Sequence, residues 1–163
     1  MRLLLTILAS LTLCGCGLQP LYSGGAREVV AERLGSIEVA PIEGRAGWLL
    51  RNALNDRLHL TGRKPAVRFR LDVQLDDSLE ALGVLNDDTI SRERRILRAR
   101  YQLIDTGNGN IILDGTAGSD AGIDVVSSEY ATIAAEQTAL ENLAMVLAER
   151  MVRQIALTLR VTE

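Results

Sequence analysis

The chain has 163 residues and a formal charge of −3; 47% of its residues are hydrophobic but only 3% are aromatic. That length allows one domain with a substantial core, and the mild acidity excludes a generic nucleic-acid binder, whose signature is a basic surface. With so few aromatic residues the core must be aliphatic, built from Leu, Ile, Val and Ala.

The first segment in chain order reads as a leader. Arg2 precedes an apolar run from Leu3 to Leu13, interrupted only by Thr and Ser. The run is shorter than the roughly 20 residues needed to cross a hydrocarbon core and fits the h-region of a secretory signal peptide. It ends in Leu13-Cys14-Gly15-Cys16. A small residue before the cut admits the backbone to a peptidase, and the thiol after it can be alkylated by a lipid donor. This Leu-x-Gly-Cys pattern resembles the lipobox of bacterial lipoproteins. The expectation is that residues 1–15 are removed and that Cys16 carries covalent diacylglycerol and an N-acyl chain. Each buried methylene adds about 0.8 kcal/mol of membrane affinity, so an anchor of more than one chain is long-lived. By resemblance to enterobacterial sorting, Gly17 in place of Asp suggests the outer membrane. Cys14 leaves with the leader and Cys16 is acylated, so the mature domain has no disulfide and depends on packing alone.

Residues 16–35 contain Pro20 and several glycines and read as the lipidated N-terminus and a tether; residues 36–163 read as a single domain. Ile37-Glu38-Val39-Ala40-Pro41 alternates briefly and ends in Pro, which suits a short edge strand. Over residues 46–61, Leu50, Ala53, Leu54 and Leu58 fall at helical spacing, and Gly62 is a plausible stop. Val67, Phe69, Leu71, Val73 and Leu75 then alternate with Arg68, Arg70, Asp72 and Gln74, predicting a strand with one buried and one wet face. Residues 79–91 lack periodicity and read as a loop or hairpin tip. Leu97, Ala99, Tyr101 and Leu103 alternate with Arg98, Arg100 and Gln102 in a second such strand. Asp105 to Asn110 is a turn, residues 111–117 are a third strand of the meander, and 118–126 read as a connection. From about Ser128 to Leu159 the apolar residues recur at steps of three and four, with Ser127 or Ser128 as N-cap. The order β-α-β-β-β-α predicts an α+β, two-layer sandwich: a sheet of about four strands, mixed or antiparallel, covered on one face by two helices.

Catalytic and metal chemistry find little support in these residues. His59 is the single histidine, too little for a zinc site without other strong ligands, and no Gly-x-Ser-x-Gly elbow is present. Adjacent acids such as Asp76-Asp77 and Asp87-Asp88 read as solvated turn residues. The arginines are more informative. Arg68, Arg70, Arg92, Arg94, Arg95, Arg98 and Arg100 fall on two consecutive strands and their junction. If those strands pair, Arg68, Arg70, Arg98 and Arg100 are expected close together on the wet face. Like charges opposite one another destabilise a sheet. Either Asp72, Asp114 and Glu38 offset them from within, or phosphates of an anionic ligand do so from outside through bidentate guanidinium contacts.

The heptapeptide Cys16-Gly17-Leu18-Gln19-Pro20-Leu21-Tyr22 resembles the Cys-Gly-x-x-Pro-Leu-Tyr opening of alphaproteobacterial members of the lipopolysaccharide-assembly lipoprotein family, LptE. Leu18 stands where a Phe is common. The order of elements extends the resemblance along the mature chain. So does the Ala-rich last helix, with Tyr130-Ala131 near its start and Ala134-Ala135-Glu136-Gln137 after it. The resemblance implies a non-enzymatic, membrane-anchored lipoprotein of the outer membrane, facing the periplasm or lying inside a barrel lumen. It implies an LptD-like β-barrel as partner, which the lipoprotein plugs and helps assemble, and lipopolysaccharide (LPS) as the cargo whose delivery it aids. Beyond the lipid on Cys16 no cofactor is implied. The arginines named above are the candidate LPS contacts, nominated from strand geometry and not from a matched motif. Two alternatives stand beside this reading: an auxiliary lipoprotein of an ABC-type lipid transport system, and a lipid-anchored hydrolase with His59 as base.

Overall fold

The computed structural model describes residues 26–59, 65–82 and 92–161. In chain order these form α1 (Ala26–Gly35), β1 (Ile37–Val39), α2 (Gly44–Leu58), β2 (Phe69–Ala81), β3 (Arg92–Asp105), β4 (Ile111–Asp124) and α3 (Glu129–Val161). The segment read as a leader, Cys16 with the residues that follow it to Tyr22, Gly62 and most of the 79–91 segment lie outside the described residues.

The four strands form one mixed sheet in the order β1-β2-β3-β4. β1 pairs parallel to β2 over Ile37–Val39, and α2 supplies the crossover that a parallel pair requires. The pairs β2–β3 and β3–β4 are antiparallel. Alternation decides the faces. Leu97, Ala99, Tyr101 and Leu103 of β3 are buried while Arg98 and Arg100 between them are exposed. On β2, Phe69 and Leu71 are buried and Arg70 is exposed. The buried face meets Leu50 and Leu54 of α2 and Leu147, Met151, Ile155 and Leu159 of α3 in one aliphatic core. Burying each such side chain contributes about 1.5–3 kcal/mol, so this row supplies the cohesion that a disulfide would otherwise add. The helices cover one face of the sheet, and the other face is open.

Residues 26–35, read above as part of the tether, are helical. α1 is held by local bonds, Ser36 N–H to Glu32 O at 3.1 Å and Ser36 Oγ to Arg33 O at 2.7 Å. It docks through Val30, which is buried, and through Arg33, whose guanidinium donates to Leu159 O at 2.7 Å near the end of α3. Val29 next to Val30 is exposed, so the helix has no apolar stripe to reveal it in the sequence.

β2 and β4 are longer than their alternation indicates. β2 continues through 79–81 and β4 through 118–124, segments read above as loop and connection. In β4 the misleading residues are Gly118 and Gly122. Gly115, within the stretch read as strand, pairs with Tyr101, and a Cβ there would lie 2.9 Å from Tyr101 Cζ. Glycine leaves room for the ring of Tyr101, which is buried in the core. The turn at 105–110 matches its sequence signature: Gly109 has φ 74°, its N–H donates to Asp105 O at 2.8 Å, and Asp105 Oδ1 accepts from Gly107 N–H. At the start of α3, Ser128 Oγ accepts from Ala131 N–H at 3.4 Å, the N-cap geometry. α2 ends at Leu58, where His59 N–H bonds Asn55 O at 3.0 Å.

Candidate functional site

The open face of the sheet carries a basic row between two acidic rows. Strand β3 presents Arg92, Arg94, Arg98 and Arg100 outward; β2 presents Asp72, Asp76 and Glu80, and β4 presents Asp114, Asp120 and Asp124. Alternation on three paired strands brings these residues to one surface, and register decides who meets whom.

Register also separates the arginines expected to cluster. Arg70 is opposite Ile104, whereas Arg98 is opposite Asp76 and Arg100 opposite Gln74. Four residues of strand, about 13 Å, divide Arg70 from Arg100, so Arg68, Arg70, Arg98 and Arg100 do not form a single group. Arg68 precedes β2 and lies over the Phe69 ring, 5.2 Å from its centroid. Arg70 bonds Asp72 at 2.7 Å, leaving Glu38 opposite it without an ion pair among the described residues.

Most of the row is neutralised locally. Arg94 donates through Nε and NH2 to Asp120 Oδ2 at 3.2 and 3.0 Å. Arg92 lies 3.4 Å from Asp124 and over Gly122, which has no side chain to block it. Arg100 reaches Asp114 at 3.1 Å, and Gln102 Nε2 donates to the same oxygen at 2.8 Å. The Arg100 guanidinium and Gln102 hold the Asp114 carboxyl below the usual carboxylate range, and Asp114 in turn raises Arg100. Asp114 fulfils the offsetting role anticipated for it. Asp120 and Asp124 were hidden in the stretch read as a connection.

Arg98 is the exception. It makes no ion pair among the described residues and borders a shallow groove of 630 Å³ together with Gln74, Asp76, Arg100, Thr116 and Gly118. Thr116 and Gly118, both small, line the β4 side of the groove.

Arg95 belongs to the other face. Its guanidinium grips Asp77 in a fork, Nε to Oδ1 at 2.9 Å and NH2 to Oδ2 at 2.7 Å, and extends NH1 toward Glu136 O on α3 at 3.5 Å. With side chains only 18% and 25% exposed this pair is the least solvated of the ion pairs, and its hydrogen bond to Asp77 raises Arg95. Its role is to tie the β2–β3 hairpin to the first turns of α3. His59 Nδ1 lies 3.0 Å from Asn55 O of its own helix, a helix-end contact. Among the described residues no group of acids, His or Cys is arranged to hold a metal ion, and no helix is long and apolar enough to cross a membrane.

Comparison with known proteins gives this fold a family. No curated protein matches the chain. Among solved structures, a Caulobacter crescentus CB15 protein described as a lipoprotein is similar at 28% identity, with a TM-score of 0.69, over 84% of this chain and 99% of that one. Rare lipoprotein B from Shewanella oneidensis shares the fold at 11% identity and TM-score 0.58, over 75% of this chain and 94% of that one. So does a minor lipoprotein from Acinetobacter baumannii, at 17% identity and TM-score 0.57, over 74% and 90%. The family model for LptE, lipopolysaccharide-assembly, matches residues 34–155, from the last turn of α1 to Ile155 of α3. The chain therefore belongs to the LptE family of lipopolysaccharide-assembly lipoproteins.

Proposed function

We propose that this chain is anchored by lipid on Cys16 in the outer membrane, seats itself in the lumen of an LptD-like β-barrel, and contacts LPS through the arginine row on its open sheet face. The part played is binding and positioning, with no bond made or broken. Family membership supports the assembly role, and the Leu13-Cys14-Gly15-Cys16 pattern supports the anchor.

The observation that carries the ligand assignment is the state of the arginines. Among the described residues Arg98 has no carboxylate partner, and Arg92, Arg94 and Arg100 hold theirs in pairs whose side chains are 41–80% exposed. Exposed pairs contribute about 0–1 kcal/mol, so a phosphate can displace the aspartate and accept a guanidinium fork in its place. Arg98 is then the leading contact and Arg92, Arg94 and Arg100 are recruited. Arg68 and Arg70 lie further along the same face. Arg95, gripped by Asp77 on the helix side, acts on the framework.

Purification of the tagged, lipidated full chain in mild detergent tests the reading. It predicts a diacylglyceryl and N-acyl mass increment on Cys16 and co-purification of a large outer-membrane barrel. A bare cysteine, or recovery of an inner-membrane ABC transporter in place of the barrel, contradicts it; the latter result would favour the auxiliary-lipoprotein alternative.

A further inference from the structure

We propose that the free edge of β2 beyond Leu71 is a docking site for an extended, basic segment of a partner polypeptide, added to the sheet as a further strand. The inference concerns the sheet's edge and does not depend on what the arginine row binds.

The lane beside β2 is filled for only a short distance. β1 occupies it opposite Phe69, Arg70 and Leu71, the last rung is Ala40 N–H to Leu71 O at 3.0 Å, and Pro41 follows. β2 itself continues to Ala81 with an unbroken register on its other side. The direction of its backbone groups follows from two bonds. Leu82 N–H donates to Arg92 O, and Leu71 O accepts from Ala40. Even-numbered residues of β2 therefore exchange hydrogen bonds with β3, and odd-numbered ones face the other way. Val73, Leu75, Asp77, Leu79 and Ala81 direct their N–H and C=O groups into a lane that no strand of the described residues occupies. That lane is about 30 Å long.

The opposite edge of the sheet is guarded. The Arg150 guanidinium of α3 donates to Gly118 O on the outer edge of β4. Among the described residues no side chain covers the β2 edge in this way, and between Leu71 and Ala81 there is no Lys, Pro or bulge; the charges it carries there are all acidic, so they bar an acidic or like strand and not a basic one.

Charge selects the occupant. On the open face, Asp76 and Glu80 make no ion pair among the described residues, and β2 has no basic residue after Arg70. A second copy pairing β2 against β2 would set acids beside acids, which destabilises a ladder. A strand with Lys or Arg at every second position would complement them, as β3 already does from the other side, where Arg98 is opposite Asp76 and Arg94 opposite Glu80. On the helix side, Val73 and Leu75 are half-buried against the core and Leu79 is exposed. The intervening side chains of the guest are therefore apolar. Main-chain bonds would supply the affinity of such an addition, and the alternating side chains its selectivity.

The test uses the full lipidated chain in detergent and three synthetic octapeptides: alternating Lys and Val, alternating Glu and Val, and the first composition in two blocks. Amide hydrogen exchange is read residue by residue. The alternating Lys–Val peptide is expected to slow exchange at Val73, Leu75, Asp77, Leu79 and Ala81 by about tenfold or more and to leave Thr116 and Gly118 unchanged. Asp76→Lys with Glu80→Lys should abolish the protection. So should Leu79→Pro at the distal half of the lane, since the N–H it removes points away from β3. No protection in the unaltered chain, equal protection by the block or Glu–Val peptide, or protection that survives both sets of substitutions overturns the proposal.

Discussion

The Arg95–Asp77 fork should be the one ion pair whose loss is felt in stability. Asp77→Ala removes two short hydrogen bonds, at 2.9 and 2.7 Å, and leaves the guanidinium with only the 3.5 Å contact to Glu136 O. Fully exposed pairs are worth about 0.2–1 kcal/mol, and breaking a buried pair costs about 3–5 kcal/mol. Side chains 18% and 25% exposed lie between those limits, which puts the loss at about 1–2 kcal/mol. Urea unfolding of the Asp77→Ala and Arg95→Ala variants and their double mutant isolates the coupling from the separate truncations. A second cycle on Arg100 and Asp114, the more exposed pair on the open face, should give a clearly smaller coupling. Local hydrogen exchange should rise at 79–81 and in the first turns of α3, the two segments the fork joins. Equal coupling in both cycles, or an unchanged midpoint for Asp77→Ala, would refute the argument that burial and bidentate geometry set the strength of these pairs.

Gly115→Val should be costly, because its Cβ would lie 2.9 Å from Tyr101 Cζ in the core; overpacking of this kind costs about 1–3 kcal/mol, read as a lower urea midpoint, whereas the same change at Gly118, with no atom nearer than 3.6 Å, should be mild. The Asp114 carboxyl should titrate below the ordinary 3.8, chiefly through its hydrogen bond from Arg100 and then that from Gln102. Because the folded value is the lower one, its contribution is present above the unfolded value and disappears as pH falls through the folded one. Carboxyl-carbon NMR should show Arg100→Gln moving the midpoint upward, and no movement would contradict the assignment. Leu97→Ala, at a fully buried position of β3, should cost about 2–5 kcal/mol; a loss below 1 kcal/mol would mean that β3 is not the centre of the core.

The sequence made the core-facing half of the molecule readable and the edges unreadable. Alternation at 97–103 and the three-and-four spacing along α3 identify buried faces because burial selects apolar side chains at fixed intervals. Pro41 correctly marked β1 as an edge strand. α1 escaped because it docks by one buried valine and one arginine. The far half of β4 escaped because Gly118 and Gly122, the latter lying under Arg92, carry no hydropathy signal. The arginines were visible as wet-face residues, and the offsetting role of Asp114 was foreseen. Their grouping was not visible, because register is fixed by pairing across strands and moves Arg70 away from Arg98 and Arg100. Nor could spacing show that Arg95 turns inward to Asp77, since the choice of partner depends on α3, far away in sequence.

The central claim is that the open sheet face holds LPS phosphates and that Arg98 leads the contact. Titration of the purified lipidated chain with LPS tests it, comparing Arg98→Glu with Arg33→Gln, a substitution on the helical side whose arginine bonds Leu159 O. The account predicts that Arg98→Glu weakens binding by about tenfold at low salt and less at high salt, and that Arg33→Gln leaves it unchanged. Equal affinity for Arg98→Glu and the unaltered chain at every salt concentration would contradict it.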